Sequence, residues 1–341
     1  MHRRFHGDTR GRPAPNGAAT GSTLALPSFC ATVRRVFWQR SRETVEALFI
    51  GQTYIDVTLI ADAIPTGDDK AVARDYAVSF GGNAVTAAFA TAKLGVAPDL
   101  MTSLANDWLG RMFSDMAVRY GVFVHPRPVR RSSLSFVIPN DGKRAILRAR
   151  DDDYLHPFPT LNLRGCRILH LDGHQADAAI AYAKACREAG IPTSLDGGGL
   201  RANTRELLEF IDFAVVAERL CEQMELTPAE MLDYLHARGC RIGAVTLGER
   251  GLVWIDDKGA KHSLPALPVP AERVIDTNGA GDIFHGAYVA SYLAYPEASW
   301  DAHFRFARAA SAHSVQRLGN EASLPSLADI AAVRAEFETV A

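Results

Sequence analysis

Residues 276–282 read Asp-Thr-Asn-Gly-Ala-Gly-Asp, and a helix-forming stretch follows them. Glycines in such a turn let the backbone adopt left-handed angles and let an oxyanion come close, because no Cβ stands in the way. The free N–H groups of the turn and the positive end of the helix would form an anion site. Asp282 lies beside it, where a carboxylate is suited to accept the proton of an attacking hydroxyl group. These residues therefore predict phosphoryl transfer to an alcohol, with the N–H groups stabilising the developing charge.

An ordinary loop that ends in a helix-capping aspartate is the alternative explanation for a bare Gly-Ala-Gly-Asp run. The complete run before an amphipathic helix is far more specific. It resembles, position for position, the C-terminal signature of the PfkB family of ribokinase-like carbohydrate kinases. In that family the last aspartate is the catalytic base and the Gly-Ala-Gly run forms the anion hole. The resemblance implies the first role for Asp282 and the second for Gly279, Ala280 and Gly281.

The start of the organised part also carries the resemblance. A buried first strand is predicted at Ala47–Gly51, and residues 52–56 are predicted to leave it as a loop. A G-x-G-x-x-G run is missing at this place, which argues against a nicotinamide-dependent oxidoreductase. An aspartate in this position of the family binds the substrate, which implies that role for Asp56. Taken alone, an aspartate after a strand is usually a turn residue.

A pair of glycines opens a second predicted helix, rich in small residues, over 84–93. A close-packed helix after a flexible turn is the alternative explanation of this pattern. The family's N-terminal signature, however, is also a Gly-Gly pair, with an asparagine on the helix that contacts the sugar. Thr86 occupies the usual asparagine position and Asn83 comes early, a departure that concerns the identity of the sugar. The resemblance implies substrate contacts for Gly81, Gly82, Asn83 and Thr86.

Short alternating runs over 57–80 and 134–150 predict a small separate sheet. In the family such a sheet is a lid over the sugar, which would exclude competing water. Lys70 on the lid suits an anionic sugar, although a solvated lysine is the default. His174 follows a predicted strand near the substrate pocket, although a histidine there is more often a hydrogen-bonded loop residue. Lids of this family often pair, so the resemblance leads us to expect a homodimer through the lid.

The run Thr246-Leu247-Gly248-Glu249-Arg250-Gly251 follows another predicted strand. Alone it is a tight turn; in context it resembles the family's T-x-G-x-x-G segment, which contacts ATP. The resemblance implies nucleotide contacts for Thr246, Gly248, Gly251 and Asn278, and ATP with Mg²⁺ as the phosphoryl donor. The family's metal-supporting N-x-x-E run is missing, and Glu218 is its candidate substitute. A loop around Asp276 and 314–319 resembles the site where some members bind K⁺.

Predicted strands alternate with helices of about 10–15 residues along the remaining chain. This pattern predicts a mostly parallel sheet with helices on both faces, and the active site beyond the carboxyl ends of its strands. With the resemblance, the fold class is α/β: a ribokinase-like three-layer α/β/α sandwich with a small β lid. The kinase domain is expected over 46–338. Residues 1–45, rich in arginine and poor in acidic residues, are expected to be a disordered extension.

Composition excludes several other classes. A net charge of -2 gives no reason to expect nucleic acid or an anionic membrane as partner. The chain contains no apolar stretch near the roughly 20 residues that cross a bilayer. Its 5 cysteines are odd in number and form no C-x-x-C pair, which indicates free thiols in a reducing cytoplasm.

Together these features predict an ATP-dependent kinase of a small sugar. The lid and the alanine-rich helix most resemble sulfofructose kinases, with ribokinase and fructokinase as neighbours. A non-catalytic sugar or nucleotide sensor on the same fold is the alternative, because the N-x-x-E run is missing.

Overall fold

The structure is a computed structural model that describes residues 45–61, 65–140 and 143–338, without the side chains of 139, 140, 143 and 144. The prediction of a disordered extension over 1–45 concerns residues outside this part, apart from Val45. The chain folds into two sheets and their flanking helices. The strands are β1 (Ala47–Gly51), β2 (Tyr54–Ile60), β3 (Asp75–Gly81), β4 (Pro98–Ala105), β5 (Phe123–Val129), β6 (Leu134–Asn140), β7 (Lys143–Ala149), β8 (Ile168–Leu171), β9 (Thr193–Gly197), β10 (Phe213–Ala217), β11 (Ile242–Thr246), β12 (Leu252–Ile255) and β13 (Lys261–Leu264).

The helices lie between the strands and after them. Short 3₁₀ turns at Leu208–Phe210, Gly248–Arg250 and Ala271–Arg273 complete the elements of the described residues. The α-helices are α1 (Asn83–Lys93), α2 (Trp108–Tyr120), α3 (Ala176–Glu188), α4 (Thr204–Leu207), α5 (Glu218–Gln223), α6 (Pro228–Ala237), α7 (Ala280–Ala294), α8 (Trp300–Ser314), α9 (Asn320–Ser323) and α10 (Leu327–Phe337).

The large sheet has nine strands in the order β13-β12-β11-β10-β9-β8-β1-β4-β5. Strands β5 to β11 of this order pair in parallel, whereas β12 and β13 add an antiparallel edge. Strand β1 is buried along its whole length because side chains alternate between two apolar cores. Phe49 packs into the core on one face, whereas Leu48 and Ile50 pack into the core on the other. The prediction of a mostly parallel sheet between helical layers is therefore confirmed.

The small sheet has the strand order β3-β2-β6-β7. The small β lid predicted as part of the fold is thus present, but the predicted loop over 52–56 is wrong for residues 54–56, since only Gln52 and Thr53 lie outside a strand. Strand β2 already begins at Tyr54, because Tyr54 and Ile55 pair with the end of β3 and their side chains are buried. As a result Asp56 stands on a strand, where its position is fixed by ladder hydrogen bonds on both sides.

Helices α1 and α7 pack against each other where each carries small residues. A Cβ at Gly286 would lie 2.3 Å from the carbonyl oxygen of Ala87, so only glycine permits this approach. The Thr91 hydroxyl donates a hydrogen bond to the Gly286 carbonyl at 2.9 Å across the contact. Since α1 follows the Gly-Gly pair and α7 follows the 276–282 turn, this contact brings the two sequence signatures together.

None of the described helices is both long enough and apolar enough to cross a membrane.

Candidate active site

The Asp56 carboxylate is the centre of a buried polar cluster. It accepts hydrogen bonds from the Ser135 hydroxyl at 2.8 Å, the Asn278 side-chain amide at 3.0 Å and the Asn320 side-chain amide at 3.1 Å. Burial raises the pKa of Asp56 above its ordinary value, and these hydrogen bonds together with the charge of Arg148 oppose the rise. The donors hold the carboxylate in one orientation. It lies next to the turn that was predicted to bind phosphate.

The glycine pair before α1 makes room for this cluster. A Cβ at Gly81 would lie 2.3 Å from the Asp56 carboxyl group, and a Cβ at Gly82 would lie 2.0 Å from the carbonyl oxygen of Gln52. Gly82 also has a φ of 104°, which side-chain-bearing residues rarely adopt. Gly82 is therefore required by the backbone, and Gly81 by the close approach of the Asp56 side chain, whatever contacts the pair makes with a substrate.

The turn over 276–282 has the geometry expected of an anion site. Gly279, with a φ of 74°, directly precedes α7. The buried Asp276 carboxylate accepts hydrogen bonds from the backbone N–H of Asn278 at 2.8 Å and of Gly319 at 3.2 Å, which fixes the turn. Because the first N–H groups of a helix have no acceptor within it, the start of α7 offers donors to a bound anion.

Asp282 lies in the first turn of α7 and is partly exposed. Gly281, beside it, is exposed, and a Cβ there would meet no protein atom within 4 Å. The space in front of the helix start is therefore open to a ligand. The side-chain amide of Asn278, four residues before Asp282, donates a hydrogen bond to Asp56. The residue predicted as the base and the residue predicted to bind the sugar are therefore linked through Asn278.

Asn83, the first residue of α1, is held by a second buried carboxylate. Its side-chain amide donates to Asp196 at 3.0 Å, and Asp196 also lies 3.7 Å from Nε2 of His285 on α7. Burial raises the pKa of Asp196 to about 7, because water no longer stabilises its charge. Burial also lowers the pKa of His285 to about 3, so this ring stays neutral near pH 7.

The same buried network continues under the large sheet. His285 contacts the Tyr288 hydroxyl, which shares a hydrogen bond with Ser194, and Ser194 in turn contacts Nδ1 of His170. These four side chains are buried and lie on α7, β8 and β9. The network thus joins the helix that carries Asp282 to the strands beneath it.

His174 lies at the sugar end of the site, after β8. Its backbone N–H donates to the Asp172 carboxylate at 2.9 Å, and Asp172 also accepts from the N–H of Ala84 at the start of α1 at 3.3 Å. Burial lowers the pKa of His174 to about 4, while the charge of Asp172 acts in the opposite direction. The predicted position beside the substrate pocket is therefore compatible with a neutral imidazole that donates or accepts a hydrogen bond.

Two of the predicted substrate residues lie apart from the carboxylates. Thr86 is fully buried, and a Cβ at Gly279 would lie 3.6 Å from its methyl group, so it packs beneath the turn. Lys70 is exposed in the segment between β2 and β3 and makes no hydrogen bond or ion pair with a described residue. The substrate contacts of both residues stay predictions.

Three of the four predicted nucleotide residues, Thr246, Gly248 and Gly251, form a separate turn at the end of β11, whereas Asn278 lies in the 276–282 turn. Thr246 ends the strand, and Gly248 begins a 3₁₀ turn that Gly251 closes with a φ of 91°. A Cβ at Gly251 would lie 2.1 Å from the carbonyl oxygen of Leu264, so glycine is needed for the backbone here. The Glu218 carboxylate forms an ion pair with Arg250 of the same turn.

The described side chains contain no group of three or more His, Cys, Asp and Glu residues arranged to hold a metal ion. Mg²⁺ commonly binds through substrate phosphates and water with one or two carboxylates, so a prebuilt cage is not required. The Glu218 metal role stays a prediction. Near Asp276, the loop predicted for K⁺ is closed by a hydrogen bond from the Asp276 N–H to the Val315 carbonyl at 3.2 Å.

Sequence reasoning missed several site residues. Asn320 and Ser135 belong to no recognised motif, and they reach Asp56 only through the fold. Asp172 follows β8, a buried strand of the parallel sheet. That position, beyond a strand's carboxyl end, was the signal that could have identified it.

Comparison with known proteins gives a consistent result. A sequence profile of the family described as pfkB family carbohydrate kinase matches residues 46–327, which is most of the chain. The ribokinase of Lactococcus lactis is 25% identical over 301 residues, covering 85% of this chain and 97% of that protein. The ATP-dependent ribose-1-phosphate kinase of Halopiger xanaduensis is 28% identical over 257 residues, covering 73% of this chain and 85% of that protein.

Solved structures show the same fold. The ribokinase of Giardia lamblia superposes with a TM-score of 0.74 at 17% identity, covering 86% of this chain and 100% of that one. The ribokinase of Arabidopsis thaliana, solved with ribose and ATP, gives a TM-score of 0.71 at 22% identity, covering 85% of this chain and 98% of that one. At these identities the likeness establishes the fold, which is the ribokinase-like α/β fold.

Proposed function

The chain belongs to the pfkB family of carbohydrate kinases, and we propose that it transfers the terminal phosphoryl group of ATP to a hydroxyl group of a small sugar with Asp282 as the base. The observation that carries this proposal is the direct hydrogen bond from Asn278 to Asp56. It joins the glycine turn before Asp282 to the buried carboxylate at the sugar end.

Each group has a distinct task in the proposed reaction. Asp56, oriented by its three donors, accepts hydrogen bonds from sugar hydroxyls and holds the acceptor in place. Asp282 takes the proton of the hydroxyl group that attacks the terminal phosphorus. The N–H groups of Gly279, Ala280 and Gly281 stabilise the charge that develops on the phosphoryl oxygens. The predicted sugar contacts of Gly81, Gly82, Asn83, Thr86 and His174 complete this arrangement.

ATP is proposed to lie between the 276–282 turn and the turn closed by Gly251. Thr246, Gly248, Gly251 and Asn278 would contact it. Mg²⁺, when bound to the phosphates, would neutralise part of their charge and orient the terminal group. Glu218 would support the metal through water only if its ion pair with Arg250 opened. A K⁺ ion in the loop beside Asp276 would act through the backbone of that turn.

The acceptor is a small sugar or sugar derivative. The relatives include ribokinases and a ribose-1-phosphate kinase, so ribose and its derivatives are the first candidates. Fructose and anionic sugars such as sulfofructose are the others. Lys70 was the residue that favoured an anionic sugar, but its exposed position gives that argument little support.

A homodimer through the small sheet is proposed as the assembly. The outer face of this sheet carries an apolar row in which Val78, Val57, Phe136 and Leu147 stand side by side on four neighbouring strands. Leu147 is 75% exposed and Phe136 is 40% exposed. Covering these side chains with the same row of a second copy would remove them from water.

A cytoplasmic location is proposed on separate grounds. The described cysteines are free and buried, as reduced thiols of a cytoplasmic protein are.

The reaction is tested with purified protein, Mg²⁺ and ATP against ribose, fructose, 2-keto-3-deoxygluconate, nucleosides and sulfofructose. ADP release and the phosphorylated product are both measured. We expect one acceptor to be turned over, and Asp282→Asn to lower kcat by at least about 100-fold because the base is lost. Turnover of none of these acceptors would contradict the proposed function.

Glu297→Gln, on the exposed segment between α7 and α8, is the matched control and should keep wild-type kcat. A non-catalytic sensor is the alternative on the same fold. If the protein shows only a slow ATP hydrolysis without phosphorylated sugar, and Asp282→Asn leaves that rate unchanged, the hydrolysis does not depend on this base and the sensor is favoured.

A further inference from the structure

The inner face of the small sheet carries an arginine in line with Asp56. Strand pairing places Ser79, Asp56, Ser135 and Arg148 side by side on β3, β2, β6 and β7. Side chains alternate along a strand, so residues that stand opposite one another project from the same face. The Ser135–Asp56 hydrogen bond shows that this face is the one turned to the site. Arg148 therefore belongs to the site face, opposite to the apolar row that contains Leu147.

A second arginine comes from the body of the protein. Arg201 follows β9, and its Nε donates to the backbone carbonyl of Asp172 at 3.1 Å. A Cβ at Gly173 would lie 3.1 Å from the Arg201 side chain, so the stem of the arginine runs over the turn that leads to His174. Arg201 is thus fixed at the sugar end of the site, with its guanidinium only partly exposed.

The charges of Arg148, Arg150 and Arg201 act on the same two side chains, Tyr54 and His174. The guanidinium of Arg148 lies 5.2 Å from the centre of the Tyr54 ring. Burial, opposed by Asp172, lowers the pKa of His174, and the charges of Arg201, Arg150 and Arg148 lower it further. The same three charges oppose the burial-driven rise of the Tyr54 pKa. All three guanidinium groups are therefore close enough to Tyr54 and His174 to act on both.

Two of the three guanidinium groups in this cluster have no close carboxylate as ion-pair partner among the described residues. Arg150 forms an exposed ion pair with Asp152 at 2.9 Å. Neither Arg148 nor Arg201 has a carboxylate within 4.0 Å in the part of the chain that the structure describes. Asp56 and Asp172 are held instead by hydroxyl, amide and backbone donors. A neutral sugar would leave this charge without a partner.

We propose that Arg148, Arg150 and Arg201 form a subsite for an anionic substituent of the sugar, a carboxylate, sulfonate or phosphate, so that the acceptor is an anionic sugar. Guanidinium groups suit this task because their N–H groups pair with two oxygens of one anion. Arg148 and Arg150 lie on or next to the small sheet, whereas Arg201 follows β9 of the large sheet. An anion bound by all three would therefore connect the two sheets over the substrate. This inference rests on the proposed kinase function and names the substrate class for it.

The test compares acceptors that differ in charge but share a carbon skeleton: ribose with ribose 1-phosphate, fructose with 6-deoxy-6-sulfofructose, and 2-keto-3-deoxygluconate with a neutral 3-deoxyhexulose. We expect kcat/KM of the wild type to be at least about 100-fold higher for one anionic member than for its neutral partner. Which pair shows the preference identifies phosphate, sulfonate or carboxylate as the group.

The arginine variants test the subsite itself. Arg148→Met and Arg201→Met should each raise KM for the anionic acceptor about 10- to 100-fold, with little change for the neutral partner or for KM of ATP. Arg148→Lys, which keeps the charge, should recover part of the loss. Arg164→Met, on an exposed loop, is the control and should behave as wild type. Thermal unfolding of each variant shows whether it remains folded.

The outcomes separate the two proposals. If only neutral sugars are phosphorylated, or if the arginine variants weaken ATP rather than the anionic acceptor, the anion subsite is wrong and the kinase function stands. If no acceptor of either charge is phosphorylated, both proposals are wrong.

Discussion

The side-chain amide of Asn320 donates a hydrogen bond to the Asp56 carboxylate at 3.1 Å, across a sequence separation of 264 residues. The same amide also donates to the Phe80 carbonyl at 2.8 Å, and the Asn320 backbone N–H donates to the Ser79 hydroxyl at 3.2 Å. Asn320 therefore ties the end of the chain to both β2 and β3. The sugar end of the site is complete only when α9 is in place.

Asn320→Asp tests whether Asp56 acts as a charged acceptor for the sugar. The new carboxylate would lie in contact with Asp56, and a like charge raises the pKa of a neighbouring carboxyl group. Burial already raises the pKa of Asp56, so the charged form would be lost at a higher pH than in the wild type. We expect the acid limb of kcat/KM for the sugar to move to higher pH, measured over about pH 5–9.

Asn162→Asp, on an exposed loop, is the matched control and should leave the profile unchanged. If Asn320→Asp gives the wild-type profile, Asp56 does not bind the sugar as a charged acceptor.

Gly81→Ala tests the close approach of the glycine pair to Asp56. The added Cβ would lie 2.3 Å from the Asp56 carboxyl group, so the carboxylate must move. We expect KM for the sugar to rise at least about 10-fold, with little change in KM for ATP, because the displacement is confined to the sugar end. Steady-state kinetics with each substrate varied in turn measures the two constants.

Gly121→Ala provides the comparison, since Gly121 has a φ of 71° and a Cβ there would meet no atom within 4 Å. It should lower stability by about 1 kcal/mol through backbone strain and leave both constants unchanged. Equal effects of the two substitutions on KM for the sugar would mean that the clash with Asp56 has no role.

Local signals in the sequence were sufficient to predict the strands of the parallel sheet and the turn before α7. Strand β1 has apolar residues at every position because both its faces are buried, and the sequence shows this directly. The 276–282 turn could be predicted because its two glycines lie close together in the sequence, at the point where a helix begins.

Long-range contacts could not be predicted in the same way. Asp56 was assigned to a loop, and only the pairing of Tyr54–Ile60 with β3 and β6 places it on a strand. Arg148 was overlooked for a related reason. Arg148 and Asp56 lie on the same face because β6 pairs with both β2 and β7 in a fixed register. The sequence of any one of these strands does not show that register. Lys70 was noticed instead because it stands in an exposed segment of the predicted lid.

Asp196→Asn should remove a pH dependence of stability. Burial raises the pKa of Asp196 to about 7, whereas an unfolded aspartate has a pKa of about 3.9. The folded state therefore binds the proton more tightly, and this contribution is present below about pH 4 and is lost as the pH rises through about 7. We expect the free energy of unfolding of the wild type minus that of Asp196→Asn, both measured in urea, to fall by on the order of 1–3 kcal/mol between about pH 5 and pH 8.

His285 contributes in the opposite direction, since its lowered pKa of about 3 removes stability as the pH falls. For this reason the comparison is made between variant and wild type, both of which contain His285. Asp257→Asn, an exposed carboxylate, is the control and should follow the wild-type curve. If the difference between wild type and Asp196→Asn does not change with pH, Asp196 makes no contribution to the pH dependence of stability.

Leu147→Asp tests the homodimer proposed through the small sheet. Leu147 is 75% exposed at one end of the apolar row, so the isolated chain should tolerate a charge there. In a dimer the same charge would be buried without a partner, which should weaken association at least about 100-fold. Sedimentation equilibrium should show a dimer for the wild type and a monomer for the variant at the same concentration.

Leu327→Asp is the control, since Leu327 is 61% exposed at the start of α10, and this variant should remain dimeric. A monomeric wild type would exclude this face as the interface. A dimeric Leu147→Asp would exclude it as well, because an aspartate buried there without a partner would weaken the dimer.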